Sequence, residues 1–170
     1  MANVEDGSVS VIDTQDLTEV ARIPVGAAPV QVGFTPSGDQ VYVSLRDENR
    51  VAVIDTASRE VTNRIDGGPN PIQMVATPDG AYVYVANQGT DAEPNNTVSV
   101  IDTATGQVVK TLTTGGGAHG VSVSTDGAFV FVTNIADDTV SIIDVGSQDV
   151  VKTLPVGDRP NGIVYGGAAR

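Results

Sequence analysis

The sequence predicts an all-β fold, a β-propeller of four-stranded antiparallel blades with about four repeat units. The prediction rests on motifs that recur along the 170 residues with one shared spacing. An apolar pair followed by aspartate recurs in steps of 42, 47 and 42 residues, ending at Asp13, Asp55, Asp102 and Asp144. A turn phrase ending in glycine (35–38, 77–80, 124–127) and an apolar phrase (41–45, 83–87, 130–134) keep the same register. A shared period of 40 to 50 residues is typical of propeller blades.

Each unit reads as an antiparallel meander. In residues 70–112, a short apolar run, a Pro-Asp-Gly turn and a β-branched run are followed by a polar loop and a hairpin. In the hairpin, Val98 and Val100 alternate with Thr97 and Ser99, which is the period of a strand. We letter the strands of a unit A to D, from the central axis outward.

The repeat units do not divide the chain into a whole number of complete blades. We predict strands C and D in residues 1–28, complete sets in 29–70, 71–117 and 118–159, and one more strand A in 160–170. That division gives fifteen strands, and the blade shared by the two ends lacks its strand B. An incomplete blade leaves sheet edges and faces open. The sequence therefore predicts a partial ring or a ring completed by an oligomer, with a protein partner or self-association through the open blade edges.

Two apolar phrases carry a family resemblance. Val83-Tyr84-Val85-Ala86-Asn87 and Val130-Phe131-Val132-Thr133-Asn134 resemble the Tyr-Val-Thr-Asn phrase of YVTN-type β-propeller repeats. The resemblance covers nearly the whole chain. It implies a propeller like those of secreted, surface-layer and periplasmic proteins, and hence an extracellular or periplasmic location.

Composition excludes several classes of function. With 21 acidic and 9 basic residues the net charge is −12, which would repel nucleic acid. The chain has no cysteine, so thiolate nucleophiles and cysteine-bound metals are excluded. No apolar run is long enough to span a membrane, and the first residues predict no signal peptide. We therefore expect neither nucleic-acid binding nor membrane insertion.

The candidate ligand-binding residues lie where each strand A begins, at the mouth of the channel. We expect the loops leading into strand A and the B–C loops to reach that mouth together. His119, the only histidine, follows three glycines and resembles the histidine of Pro-His-Gly phrases in lyase, haem-bearing and copper-bearing propellers. The other candidates at these entries are Gln31, Gln73, Arg159 and Asn161.

The acidic residues give one candidate metal site and one structural motif. The third unit carries a five-residue insertion in its B–C loop, where Asp91 and Glu93 could offer oxygens to Ca²⁺ or another divalent cation. We predict no other cofactor. The aspartates that recur in every unit stand before turns, and we expect them to accept hydrogen bonds from backbone amides there.

Two functions are compatible with these residues. The missing catalytic constellation favours a non-enzymatic scaffold or binding module for protein or ligand recognition, and no catalytic residue is assigned. The alternative is a fragment of an enzymatic or metal-binding propeller, lyase-like, lactonase-like or oxidoreductase-like, that uses His119 at the channel mouth.

Overall fold

The computed structural model describes residues 1–166 of the chain, and their strands form four antiparallel sheets in chain order. We call the sheets I to IV. Sheet I has three strands and the others have four, with consecutive strands as neighbours throughout. The strands are β1 (Ala2–Asn3), β2 (Ser8–Asp13), β3 (Thr18–Pro24); β4 (Pro29–Phe34), β5 (Gln40–Leu45), β6 (Arg50–Asp55), β7 (Glu60–Asp66); β8 (Pro71–Ala76), β9 (Tyr82–Gly89), β10 (Pro94–Asp102), β11 (Gln107–Thr113); and β12 (Ala118–Val123), β13 (Phe129–Asn134), β14 (Thr139–Asp144), β15 (Asp149–Pro155).

This arrangement confirms the predicted all-β fold of antiparallel meanders. The one helix in the described part is a 3₁₀ turn, Arg46–Glu48. None of the helices described is long and apolar enough to cross a membrane.

The hydrophobic core lies between the sheets, in three separate clusters. Each cluster joins two consecutive sheets: I with II, II with III, and III with IV. The cluster between sheets II and III, for example, packs Tyr42 and Ile65 against Met74 and Val85. Most members are Val, Ile, Ala or Leu, whose compact side chains allow sheets to stack closely. Because each sheet buries its apolar face on its neighbour, the strict recurrence of apolar residues follows from the stacking.

The two chain ends differ in part from the sequence-based expectation. Residues 2–3 form a short strand B remnant, β1, which pairs with β2 through Ala2 opposite Val9. The segment predicted as the last strand A, residues 161–165, has no strand pairing, because no strand B lies beside it in this chain. The described part contains fifteen strands, the number that we predicted, but the set differs by one member. It includes β1, which we did not count, and it lacks the expected final strand A. Residues 167–170 of the last predicted unit lie outside the described residues.

The C–D turn of every unit needs a left-handed residue. Leu17, Arg59, Gly106 and Gln148 hold the same place in the four turns, with φ between 54° and 64°. A side chain in this conformation brings its Cβ close to the backbone, which costs about 1 kcal/mol relative to glycine. Three of the four turns therefore carry a small local strain.

Replacing Leu17 with glycine is expected to raise the free energy of unfolding by about 0.5 to 1 kcal/mol, because glycine removes that strain. The side chain is 80% exposed, so little packing is lost. Chemical denaturation measures the change. Leu17→Ala is the matched control, since it removes the exposed side chain but keeps Cβ. An equal gain in both variants would show that the backbone conformation is not the cause.

Candidate functional site

The loops that enter the inner strands and the B–C loops lie at one end of the sheets, as predicted. We call this end the entry face. Hydrogen bonds join the two kinds of loop: Asp137 Oδ2 accepts from Gly116 N at 2.7 Å, and Asp138 Oδ1 accepts from Arg159 N at 2.8 Å. In sheet II, Asn49 Oδ1 accepts from Asn70 N at 2.9 Å. Candidate residues on the two kinds of loop therefore share one surface.

His119 is the second residue of the inner strand β12 and is half-buried. Its Nδ1 lies 2.7 Å from the main-chain carbonyl oxygen of Asn161. A carbonyl oxygen can only accept, so Nδ1 carries the proton in the neutral ring. The other nitrogen, Nε2, then holds a lone pair that can accept a hydrogen bond or bind a metal. Metal-ligating histidines commonly show this arrangement, with the second nitrogen donating to a carbonyl.

Glycine at residue 120 allows this contact. The same place in the two preceding inner strands holds Gln31 and Gln73. A Cβ at residue 120 would lie 3.0 Å from Asn161 O and 2.8 Å from Thr133 Oγ1. Glycine therefore lets the terminal segment, residues 160–166, approach β12 closely. The contrast between Gly120 and the two glutamines is visible in the sequence, but the partner of His119 is not.

Gly120→Ala is expected to move the terminal segment away and release the His119 ring, because the new Cβ meets the Asn161 carbonyl. The chain has one histidine, so imidazole ¹⁵N spectra contain one pair of ring signals. The wild-type signals of the neutral ring should report a proton on Nδ1, and those of the variant should shift toward the Nε2–H tautomer. Unchanged signals would contradict the role given to Gly120. Gly162→Ala is the control, since its Cβ would have no neighbour within 4 Å.

Two further contacts hold the terminal segment against sheet IV. Tyr165 N donates to Ser122 Oγ at 2.9 Å. The Tyr165 ring stacks on Phe131, with ring centroids 5.6 Å apart and planes at 18°. The segment thus lies beside β12, and the Asn161 carbonyl that orients His119 lies between these Tyr165 contacts and the hydrogen bond from Arg159 N to Asp138.

Gln31 has a structural role. Its side-chain oxygen accepts a hydrogen bond from Met74 N, which links the inner strands β4 and β8. The main-chain N–H of Gln31 donates to Ser44 Oγ at 3.0 Å, and Ser44 Oγ donates to Ile72 O at 2.7 Å. Gln73 lies half-buried at the matching place on β8. The structure thus places the two glutamines on inner strands, and among the described residues neither forms a hydrogen bond with His119.

Arg159, Asp91 and Glu93 lie at the entry face. Arg159 has φ 49° just before the terminal segment, and its Nη2 lies 3.7 Å from Asp91 Oδ1 in the insertion loop. Both side chains are largely exposed. Glu93 contacts its own loop, where Glu93 N donates to Thr90 Oγ1 at 3.0 Å. In residues 1–166, no group of three or more His, Cys, Asp or Glu side chains is arranged to hold a metal ion.

The recurring aspartates hold their turns, as predicted. Asp55, Asp102 and Asp144 each accept from the amide of the third residue onward at 2.7 to 2.8 Å, and Asp13 accepts from Gln15 N at 2.7 Å. These amides, followed by the Ser or Thr hydroxyls of the same turns, lower the pKa of Asp55, Asp102 and Asp144. Their lowered pKa values therefore arise from turn geometry and not from a catalytic site.

Comparison with known proteins gives the family. The model of the cytochrome D1 heme domain matches residues 1–71 and 43–162, which together include most of the chain. The chain belongs to the cytochrome D1 heme domain family. No curated protein matches the chain. Among solved structures, it is similar to Kuenenia stuttgartiensis hydrazine synthase, with 27% sequence identity and a TM-score of 0.84.

The alignment with hydrazine synthase includes 89% of this chain and 44% of that one. This member of the cytochrome D1 heme domain family therefore spans less than half the length of the hydrazine synthase chain. The similarity supports the predicted propeller fold. It supports the YVTN-type resemblance only as far as the propeller architecture.

The cofactor prediction was wrong. We expected no resident cofactor, with Ca²⁺ or another divalent cation as the alternative, and the family points instead to heme. The residues fit that group in one respect. Heme iron takes an axial imidazole, and His119 carries its proton on Nδ1, which leaves Nε2 free for iron. The family also favours the alternative function, a metal-binding propeller, over a non-enzymatic scaffold.

Proposed function

We propose that this chain is a segment of a heme-binding propeller, and that His119 offers Nε2 to the heme iron at the entry face. The single observation that carries the proposal is the 2.7 Å contact between His119 Nδ1 and Asn161 O. It supports a ring that is oriented and protonated as an iron ligand needs. Membership of the cytochrome D1 heme domain family supports the choice of group.

The chain's own residues hold the imidazole. The Asn161 carbonyl fixes the tautomer and the ring direction, and Gly120 leaves room for that carbonyl. A carbonyl that accepts from Nδ1–H also makes Nε2 a better electron donor. Bound heme would supply a redox-active iron. Similarity over 44% of the hydrazine synthase neighbour gives no ground for assigning its reaction to this chain.

The finer features of the sequence remain part of the proposal. The YVTN-type phrases and the extracellular or periplasmic location they imply are consistent with an acidic, cysteine-free chain. Fractionation of cells expressing the natural gene, with the protein detected by antibody, tests the location. Recovery in the cytoplasmic fraction would overturn that part.

Titration with hemin tests the heme site. We expect the 170-residue chain to bind hemin with a shifted Soret band, and His119→Ala to lose that shift and bind at least about tenfold more weakly. Added imidazole should restore the band in His119→Gly, because it can enter the vacated space.

Asn161→Ala is the matched control. The contact with His119 uses the main-chain carbonyl of residue 161, which alanine keeps. This variant should therefore bind hemin like the wild type. Equal hemin binding and equal spectra for the wild type and His119→Ala would overturn the proposal.

A further inference from the structure

In sheets II and IV, one side chain of the B–C loop holds the loop that follows strand D. In sheet II, Asn49 Oδ1 accepts from Asn70 N at 2.9 Å, and in sheet IV, Asp138 Oδ1 accepts from Arg159 N at 2.8 Å. Asn70 and Arg159 both have φ 49°, a left-handed conformation that is strained for a residue with a side chain. The hydrogen bond therefore stabilises a conformation that is unfavourable without it. Because sheet II makes the same contact well inside the chain, the contact belongs to the repeat.

The two loops differ in the hydrogen bond that is made two residues further on. In sheet II that residue is Ile72, whose carbonyl oxygen accepts from Ser44 Oγ at 2.7 Å. In sheet IV it is Asn161, whose carbonyl oxygen lies 2.7 Å from His119 Nδ1. An imidazole thus takes the place of the hydroxyl as donor. Of the two side-chain contacts between loops, the one that Asp138 makes therefore leads to His119.

The neighbouring carboxylate holds the other side of the imidazole contact. Asp137 Oδ2 accepts from Gly116 N at 2.7 Å, in the loop that enters β12 three residues before His119. Sheet II repeats this contact as well, since Glu48 Oε1 accepts from Ala27 N at 2.6 Å. The loop before the imidazole is therefore held independently of Asp138. Loss of the side chain at residue 138 should move the carbonyl and leave β12 in place.

We propose that Asp138 is a positioning residue for His119. Its carboxylate holds Arg159 N, which places the Asn161 carbonyl at Nδ1 of the ring and so keeps the proton on Nδ1. Among the described residues, the side chain of Asp138 makes no other hydrogen bond. The inference deepens the proposed function and rests on it, because the ring that Asp138 orients is the iron ligand of that proposal.

Asp138→Gly removes the carboxylate and should preserve the fold. Glycine holds this place in sheet I, where Gly7 has φ 61° and its carbonyl oxygen accepts from Val25 N at 2.9 Å. Asp138 has φ 54°, and its carbonyl oxygen accepts from Val156 N at 2.9 Å. Glycine at residue 138 therefore keeps both the main-chain conformation and the main-chain hydrogen bond.

The ¹⁵N signals of the imidazole test the proposal without heme. In the neutral wild-type ring they should report a proton on Nδ1. In Asp138→Gly they should shift toward the Nε2–H tautomer, because the Asn161 carbonyl is no longer held at the ring. Asp138→Asn should keep the wild-type signals, because its amide oxygen can accept from Arg159 N as Asn49 Oδ1 accepts from Asn70 N.

Asn49→Gly is the matched control. It removes the same hydrogen bond in sheet II, where the carbonyl two residues further on accepts from Ser44, so the His119 signals should not change. Unchanged signals in Asp138→Gly, or an equal shift in Asn49→Gly, would overturn the proposal.

Hemin titration separates this inference from the proposed function. If Asp138→Gly shifts the signals but the wild type binds no hemin, the positioning role stands and the proposed function fails. If the wild type binds hemin through His119 but Asp138→Gly leaves the signals unchanged, the positioning role fails alone.

Discussion

Gly115→Ala is expected to lower the free energy of unfolding by about 2 to 3 kcal/mol, whereas Gly157→Ala should leave it nearly unchanged. The two glycines hold the same place in the loops that follow β11 and β15. A Cβ at residue 115 would lie 2.8 to 2.9 Å from atoms of the buried Asn134 side chain, and overpacking of this kind typically costs 1 to 3 kcal/mol. A Cβ at residue 157 would have no neighbour within 4 Å.

Chemical denaturation of both variants measures the difference. Gly115 does not have a positive φ, so backbone strain does not enter the comparison. Gly68→Ala should behave like Gly115→Ala, since its Cβ would meet the side chain of Asn87. If Gly157→Ala were as destabilising as Gly115→Ala, the repeat position itself, and not the asparagine side chain beside it, would be responsible.

Leu45→Asn is expected to cost about 3 kcal/mol or more, although asparagine is the residue found at that place in sheets III and IV. Asn87 Nδ2 donates to Thr97 Oγ1 at 3.1 Å and Ser99 Oγ at 3.0 Å, and Asn134 has the same two partners in its sheet. In sheet II the corresponding residues are Arg50 and Ala52. An amide at residue 45 would therefore be buried without partners, in place of a well-packed leucine.

The triple variant Leu45→Asn, Arg50→Thr and Ala52→Ser is the control. It restores both hydroxyls opposite the new amide and should recover most of the lost stability. The Arg50–Asp66 ion pair that it removes is exposed, so its loss costs little. A triple variant no more stable than Leu45→Asn alone would show that the hydroxyls do not support the amide. Melting temperature and chemical denaturation both measure this.

The sequence was sufficient to predict the sheets because the same positions recur in each unit. Val98, Val100 and Leu112 are buried by the next sheet, as are their counterparts in sheet II, so the stacking imposes one pattern on successive units. The turn aspartates were predictable for the same reason, since their partners lie within three residues. The ends were not predictable in this way, because pairing of residues 161–165 depends on a strand that these residues do not specify.

The candidate site was only partly predictable. His119 was visible as the one histidine and as a departure from the repeat. Its hydrogen bond to Asn161 joins residues 42 apart through a main-chain carbonyl, which has no side-chain signal in the sequence. Heme could not be predicted from the sequence either, because an iron held by a porphyrin needs few protein ligands. A single imidazole without metal-ligating neighbours therefore resembled the histidines of lyase, haem-bearing and copper-bearing propellers without selecting one of them.

The most direct test of the heme site is the magnetic coupling between ferric iron and the His119 ring. In protein labelled with ¹⁵N only at histidine and loaded with hemin, electron–nuclear double resonance should show one ¹⁵N coupling from an iron-bound imidazole nitrogen. The chain has a single histidine, so the signal has one source. Our account predicts that this coupling is present in the wild type and in Asn161→Ala. Hemin bound to the wild type without any ¹⁵N coupling would contradict it.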